Sequence, residues 1–393
     1  MQIALVCQSY PPMVSGIAVA VRHLAEGLAG RGHDVLVLSA SDRGDAYTET
    51  RNGVRLVRLS SMPTPARRRQ RWSWWSRDEV ERHLDTFQPD VLHLHDPFLG
   101  AMVMPGYAHE RGIPLIATAH ALPMYPASQV PDLPGLRSLV ESALWAFGSD
   151  LISQCQAVIA PSRYTARQVD EHGGPGAVVI SNGVDLNRFR PGPTSPDERQ
   201  RLAGRYRIDP ERPIILHVGR VDREKNVDDV VRAAHLAMAS VDAQLVVIGD
   251  GSRREDVEDL AEDLGIGDRS RFIGFVEPNG DLPDLYRAGA LFVIASDLES
   301  EGIVVLEAAA CGLPIVAVRA TSMPELVETP GCGYLVSPGD VRRMAERIVD
   351  ILKDPARREA LSLAALGMAQ QHSLEKTLEQ HEALYASLLS AAR

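Results

Sequence analysis

The sequence is short of cysteine, carries no surplus of basic charge and has no long apolar run, and each shortage excludes something. Its four cysteines (Cys7, Cys155, Cys311, Cys332) are scattered through 393 residues without a CxxC or other ligand spacing, each in or beside an apolar run. That excludes a disulfide framework and reads as reduced core thiols of a cytoplasmic protein. Acidic residues outnumber basic ones by 52 to 41, for a formal net charge of −11, which argues against a general nucleic-acid binder. No run approaches the about 20 apolar residues of a membrane span, and the opening MQIALVCQ lacks a basic n-region. The chain is therefore expected to be soluble, or at most peripheral at the inner face of a membrane. No GxGxxG and no P-loop is present, so a nicotinamide dehydrogenase or a kinase is poorly supported.

What is present is an alternation. Buried-strand runs recur through the first half (QIALVC, DVLVLSA, VRLVRLS, DVLHLH, IPLIATA, AVIAPS, AVVIS), with helical patterns such as GIAVAVRHLAEGLAGRGH between several of them. After a cluster of proline, glycine and charge near 190–198 the pattern restarts with PIILHVGR, AQLVVIGDG, SRFIGF, ALFVIAS, LPIVAV and GYLVSP. Strand alternating with helix means βαβ units and parallel sheets. The spacing predicts an α/β protein of two doubly wound domains, 1–190 and 191–372, with a cleft between their strand ends. A terminal helix, 373–393, has no strand to follow and is free to pack back across the first domain.

Several loops at strand ends carry chemistry-bearing residues, and each has a plain reading beside a functional one. In SDLESEGIVVLEAAACGLPIVAV (296–318), Glu299 and Gly302 lie at the mouth of a strand-to-helix loop and Glu307 lies within the helix. These glutamates are either a loop residue and a solvated helix residue, or they hold something bound where strand ends meet a helix N-terminus, a place that suits phosphates. HVGRVDREKN (217–226) carries Arg220 and Lys225, two cations able to neutralise a diphosphate, or a charged loop partnered by Asp222, Arg223 and Glu224. VVIGDGS (246–252) puts Gly249 and Gly251 after a strand, where the backbone can approach a ligand, although Asp-Gly is also an ordinary turn.

In the first half, QSYPPMVSGIAVAV (8–21) places Gly16 at a helix start, a loop that suits an anion. IATAHALP puts His120 past one strand end, and DVLHLHDPF puts His93, His95 and Asp96 past another. Such histidines either donate to a sugar hydroxyl or carbonyl, or are hydrogen-bonded residues of the cleft floor. His93 and His95 share one side of a strand as zinc ligands do, but no third ligand has a matching spacing. PARRRQRWSWWSRDE (65–79) mixes Arg67, Arg68, Arg69 and Arg71 with Trp72, Trp74 and Trp75. That is the composition of an interfacial segment, arginines on lipid headgroups and indoles at the boundary, or of a loop whose tryptophans pack on the domain. Nucleic-acid stacking, with an acidic chain around it, is set aside.

Taken in order, PPMVSGIAVAVRHLAEGLAGRGHDV, PDVLHLHDPF, IPLIATAH, VIAPSRYTARQV, VISNGVDLNRFRP, HVGRVDREKN, VIGDGSRRE, FIGFV and ESEGIVVLEAAACGLPIVA resemble the retaining, nucleotide-sugar-dependent glycosyltransferases of family 4, which have the GT-B fold. Glu299 and Glu307 match that family's paired glutamates. The resemblance implies that Arg220 and Lys225 bind the donor diphosphate, Glu299 the transferred sugar and Glu307 the ribose, with His120 beside the sugar. It implies donor contacts from Gly16, Asn182, Gly219, Gly249 and Gly251, and phosphate contacts from Gly302 and the following amides of Ile303 and Val304. No prosthetic group and no metal is required on this reading, the departing phosphate takes the acceptor's proton, and no convincing Asp-x-Asp site is present.

Two positions depart from the family pattern: Ser15 precedes Gly16 where a second glycine is usual, and Glu301 precedes Gly302 where an aromatic is usual. Within the family, the ESEGIVVLEA, NVDDVVRA and HDPF segments look most like bacterial diacylglycerol glucosyltransferases, with phosphatidylinositol mannosyltransferases and thiol-precursor enzymes as close relatives. The implied reaction is hexosyl transfer from a UDP-glucose or GDP-mannose type of donor to a lipid such as diacylglycerol, or else to a soluble small molecule or glycan. The rival classes are a nucleotide-binding regulatory protein with an inactive site, a phosphorylase, which needs a pyridoxal lysine, an epimerase, which lacks the GRVDREKN and SNGVD context, and a glycoside hydrolase, which needs no phosphate loops.

Overall fold

The computed structural model describes every residue except 64–70, 74, 96–98, 129, 131–132, 193–194, 278–279 and 392–393. The short β-branched runs bounded by turns become strands. In the first half these are β1 (Gln2–Val6), β2 (Asp34–Ala40), β3 (Tyr47–Arg51), β4 (Val54–Leu59), β5 (Met62–Pro63), β6 (Arg71–Trp72), β7 (Val91–Leu94), β8 (Leu115–Thr118), β9 (Ala157–Ala160) and β10 (Ala177–Val179). Eight of them form one sheet in the order β10-β9-β8-β7-β1-β2-β4-β3, parallel except for the β3–β4 hairpin. The polar YTETR of β3 and the two-residue strands of the β5–β6 ribbon carry no apolar run, and the hydrophobic pattern gives no sign of them.

The second half forms a six-stranded parallel sheet from β11 (Ile214–Val218), β12 (Gln244–Ile248), β13 (Ser270–Gly274), β14 (Leu291–Ile294), β15 (Ile315–Val318) and β16 (Gly333–Val336), in the order β13-β12-β11-β14-β15-β16. Its strands are apolar on both faces because each face meets its own core, Leu216 and Phe292 on one side and Ile215 and Val293 on the other. Among the parallel strands of each sheet the order reverses once, between β1 and β7 and between β11 and β14. The loops leaving those strand pairs diverge and open a crevice at the carboxyl ends.

The chain divides into two compact units, Met1–Gly183 with Leu374–Arg393, and Val184–Ser373. The join thus falls at Gly183/Val184, ahead of the proline-rich stretch near 190–198 that the composition marks. Composition reports where the chain is wet, whereas the join is where its contacts change. The terminal helix Leu374–Ala391 belongs to the first unit, where Leu378 and the fully buried Tyr385 share a core with Ile3, Leu5, Val21 and Leu24. Arg31 pairs with Glu375 and Glu382, and His33 Nε2 lies 2.8 Å from Glu382.

Burial alone would raise the Glu382 carboxyl, but hydrogen bonds from His33 and Arg31 outweigh it and hold the group below the ordinary carboxylate value. A depressed carboxyl stabilises the fold above its unfolded pKa, and that contribution disappears as pH falls through the folded value. Acidification through the range below the ordinary carboxylate pKa is therefore expected to loosen the terminal helix. Amide exchange on residues 374–391 should accelerate there, and Glu382→Gln should abolish the dependence while lowering protection at neutral pH.

The arginine and tryptophan segment is corrected in part. Arg67, Arg68, Arg69 and Trp74 lie outside the described residues. Trp75 is buried and belongs to the same core as Val80, Leu84 and Leu94, so it does not belong to a surface layer. Arg71 turns inward: its Nε donates to Ser61 Oγ at 2.7 Å, and Gln8 Nε2 donates to its carbonyl at 2.6 Å. Trp72, 52% exposed, faces Met62 across the ribbon and is the described tryptophan of this segment that meets solvent.

Candidate functional site

The reversal between β11 and β14 brings together two loops 69 or more residues apart in sequence. From β11 the chain passes Gly219 and Arg220 into a 3₁₀ turn, Arg223–Lys225, and the helix Val227–Met238. From β14 it passes Glu299 and Gly302 into the helix Ile303–Ala310. Asn226 Nδ2 donates to Ala295 O at 3.2 Å and His217 Nδ1 donates to Val293 O at 2.9 Å, which stitches the two sides. Lys225 Nζ then reaches Glu299 Oε1 at 2.5 Å, both side chains mostly shielded from solvent. Arg220 is paired with Asp222 and Glu224 of its own loop, so the self-partnered reading of that loop holds for Arg220 and fails for Lys225.

The Glu299 loop is braced from the next crossover. Glu299 N donates to Thr321 Oγ1 at 3.1 Å, and Ser322 Oγ donates to the carbonyls of Glu299 (3.1 Å) and Glu301 (2.9 Å). Gly302 caps the helix in the left-handed region at φ 101°, after which an α-helix leaves the first amides, here those of Ile303 and Val304, without intrahelical acceptors. Glu301, the residue that replaces an aromatic, turns inward at 1% exposure, 3.7 Å from His372. Glu307 is buried and accepts from the Tyr286 hydroxyl at 2.8 Å. Burial and the adjacent Glu307 carboxylate raise the Tyr286 phenol well above its usual value, so it stays a donor. Tyr286→Phe is expected to cost about 1 kcal/mol of donor binding, roughly fivefold in affinity for a nucleoside diphosphate by calorimetry.

On the neighbouring strand, Gly249 N donates to Gly274 O at 2.8 Å and Gly219 N to Ile248 O at 2.9 Å, and the loop continues through Gly251. The backbones pack so closely that a Cβ on Gly249 would lie 1.7 Å from Gly219 O, at a φ of 137°. Asp222, whose Oδ1 accepts from Ser252 N at 2.9 Å, ties this loop to that of Arg220.

In the first unit the reversal lies between β1 and β7. The loop after β1 leads to Ser15, whose hydroxyl accepts from Ala18 N at 3.0 Å and caps the helix Gly16–Gly30. A serine in place of the usual glycine therefore has a local role. A Cβ on Gly16 would meet nothing within 4 Å, so packing within this unit does not demand a glycine there. The fully buried Arg58 holds the same loop, donating to Tyr10 O at 3.3 Å, to Ser39 Oγ at 3.1 Å and to Pro11 O.

Past β7 and β8, His95 Nδ1 and His120 Nε2 meet at 3.0 Å. His93 bonds Tyr385 and Thr118, each at 2.7 Å. Burial drives His120 down to about 3, and His381 to about 4 against the opposing bond to Thr377, so these rings are neutral. Asn182 lines the same small cavity as His95, His120 and His381, so it groups with the histidines of the first unit. Asp96 lies outside the described residues. Among the described residues no group of three or more His, Cys, Asp or Glu is arranged to hold a metal ion, and no helix is long and apolar enough to cross a membrane.

Arg58, Tyr286, Ser322, Thr321 and His217 were not picked out by the sequence. Each acts across a long stretch of chain, and apart from its place in a quoted strand run nothing local marks it.

Residues 14–188 match the family model described as Glycosyltransferase Family 4, and residues 198–367 that described as Glycosyl transferases group 1. Over 320 residues, 77% of this chain and 73% of the relative, the sequence is 33% identical to D-inositol 3-phosphate glycosyltransferase 1 of Catenulispora acidiphila. The chain belongs to glycosyltransferase family 4. The enzyme is also 30% identical to the glycogen synthase of Mycobacterium tuberculosis over 388 residues, 93% of this chain and 89% of that one. Its fold is that of Alr3699/HepE of Anabaena, solved in complex with UDP-glucose, at a TM-score of 0.76 over 99% of both chains and 20% identity. The two Rossmann-like units are therefore those of a GT-B glycosyltransferase, which transfers sugar from a nucleotide-sugar to an acceptor.

Proposed function

We propose that the enzyme is a retaining hexosyltransferase that uses a nucleotide-hexose of the UDP-glucose or GDP-mannose type and needs no metal ion. The observation that carries this reading is the Lys225–Glu299 pair at the β11/β14 reversal, beside the Gly302 helix start. A cation, a carboxylate and unsatisfied helix amides at one crevice suit a diphosphate joined to a polyhydroxylated ring. Lys225, Arg220 and the amides of Ile303 and Val304 take up charge on the departing diphosphate. Glu299 accepts from sugar hydroxyls, and Glu307, oriented by Tyr286, accepts from the ribose. Gly249 and Gly251 let the donor approach the backbone. His120 and Gly16 serve the sugar and the phosphates from the first unit. The acceptor oxygen forms its bond to the anomeric carbon as the anomeric C–O bond to phosphate breaks, and the leaving phosphate oxygen takes the acceptor's proton.

For the acceptor, a soluble polyol or glycan is favoured over a lipid. Trp75 is buried and Arg71 turns inward, which removes two anchors from the interfacial reading. Two relatives are named for inositol phosphate and for glycogen. The test is release of nucleoside diphosphate in EDTA, then with magnesium, from UDP-glucose, GDP-mannose and UDP-N-acetylglucosamine. Each donor is paired with inositol phosphate, with a maltooligosaccharide, and with diacylglycerol or phosphatidylinositol vesicles. Release with one donor that survives EDTA and is stimulated by a soluble acceptor supports the reading. Stimulation by vesicles alone restores the lipid acceptor through Trp72 and Met62. Tight binding of UDP or GDP with no release from any donor overturns the transferase assignment in favour of an inactive, regulatory site.

A further inference from the structure

We propose that His95 is a positioning residue that fixes the tautomer of His120, so that His120 presents Nδ1–H to an incoming oxygen and serves as a hydrogen-bond donor there, not as a base. This rests on the reading of His120 as a sugar contact.

The two ring planes are inclined by 27° with centroids at 5.3 Å, and their hydrogen bond joins His95 Nδ1 to His120 Nε2 edge to edge. Both rings line a cavity of about 10 Å³ together with Thr377 and His381 of the terminal helix, His95 at 2% exposure and His120 at 7%. Between two neutral imidazoles one nitrogen donates and the other accepts, so there are two arrangements. If His120 donated from Nε2, then His95, accepting at Nδ1, would carry its own proton on Nε2. That nitrogen is buried and has no hydrogen-bond partner among the described residues. An orphaned buried N–H is rarer and costlier than a bare lone pair. In the other arrangement His95 Nδ1–H donates to His120 Nε2, and the unpartnered His95 Nε2 is a lone pair.

The rest of the cluster neither supplies nor competes for that proton. His93 is bonded at both nitrogens, to Tyr385 and Thr118, although its ring lies 4.0 Å from that of His95. His381 must carry its proton on Nδ1, since it donates to the Thr377 carbonyl. With its Nε2 accepting, neutral His120 carries its proton on Nδ1, and no hydrogen bond to that nitrogen is formed within the described residues. A donor there can grip a sugar or acceptor oxygen through a lone pair and cannot remove an acceptor's proton, in keeping with a proton that leaves on the phosphate.

The test reads the tautomer directly. In protein with 15N-labelled histidine, long-range 15N correlation spectra should show His120, assigned by the signal lost in His120→Gln, protonated at Nδ1 and bare at Nε2. Protonation at Nε2 in the unaltered enzyme overturns the proposal whatever the activity. His95→Asn keeps an N–H near the position of Nδ1 and should hold both the tautomer and the kcat of nucleoside diphosphate release from the preferred donor within a few fold. His95→Leu should let the proton redistribute and lower kcat by about 10- to 100-fold with little change in KM. An equal loss in both variants, tracking a fall in unfolding midpoint, would mark a merely structural role and overturn it. Full turnover in His120→Ala would instead defeat the reading of His120 as a sugar contact, and that outcome is distinct because the tautomer of the unaltered enzyme is still read by the spectrum.

Discussion

Lys225→Ala is expected to lower kcat/KM by about 10²- to 10³-fold, the usual consequence of removing one preorganised donor from developing charge. Lys225 sits across the β11/β14 crevice from Glu299 at 2.5 Å, and its Nζ lies 3.5 Å from Ser296 Oγ. Truncation removes the cation that would face the departing diphosphate and leaves the shielded Glu299 carboxylate without its partner. Part of the loss could thus come from folding, and the double variant Lys225→Met, Glu299→Gln separates the two. Removing both charges should recover most of the unfolding midpoint, because the unpaired carboxylate is gone. Activity should stay as low as in Lys225→Ala or lower. Recovery of turnover in the double variant would show that the pair is a structural ion pair and that the diphosphate binds elsewhere.

Gly249→Ala is expected to be the most destabilising single methyl addition in the second unit. The new Cβ would lie 1.7 Å from Gly219 O and 2.8 Å from Gly219 C, both backbone atoms, at a φ that side chains rarely adopt. No side-chain rotation relieves that contact, so the strands β11 and β12 must separate where the Gly219 and Gly249 loops begin. A cost of about 3–5 kcal/mol follows, equivalent to a fall of roughly 6–20 °C in the midpoint of a unit this size. Gly204→Ala is the control in the same unit: it lies in the helix Pro196–Tyr206 with open space around its Cβ and should gain about 0.5–1 kcal/mol from helix propensity. Calorimetry of both variants tests the contrast. A Gly249→Ala midpoint within about 2 °C of the unaltered enzyme would mean that the loops are not so closely apposed.

The sequence by itself determined the alternation of strand and helix. The core strands of both sheets coincide with the apolar runs, because a strand buried on both faces must be apolar along its length. It also determined the loops that matter, since glycine, cation and carboxylate at strand ends are local patterns. What the linear pattern could not carry is which loops meet. Lys225 and Glu299 become partners because β14 pairs with β11, a choice made by sheet order and not by either loop. The same limit hid Tyr286 beneath Glu307, Ser322 behind the Glu299 loop and Arg58 behind Tyr10, each joined to its partner by packing alone. It also misdirected the reading of Trp75 and Arg71: the composition suited a wet boundary, and the domain core took the indole while Ser61 took the guanidinium. Composition registers what a residue can do, but burial and pairing depend on chain segments far away, and the fold alone brings those together.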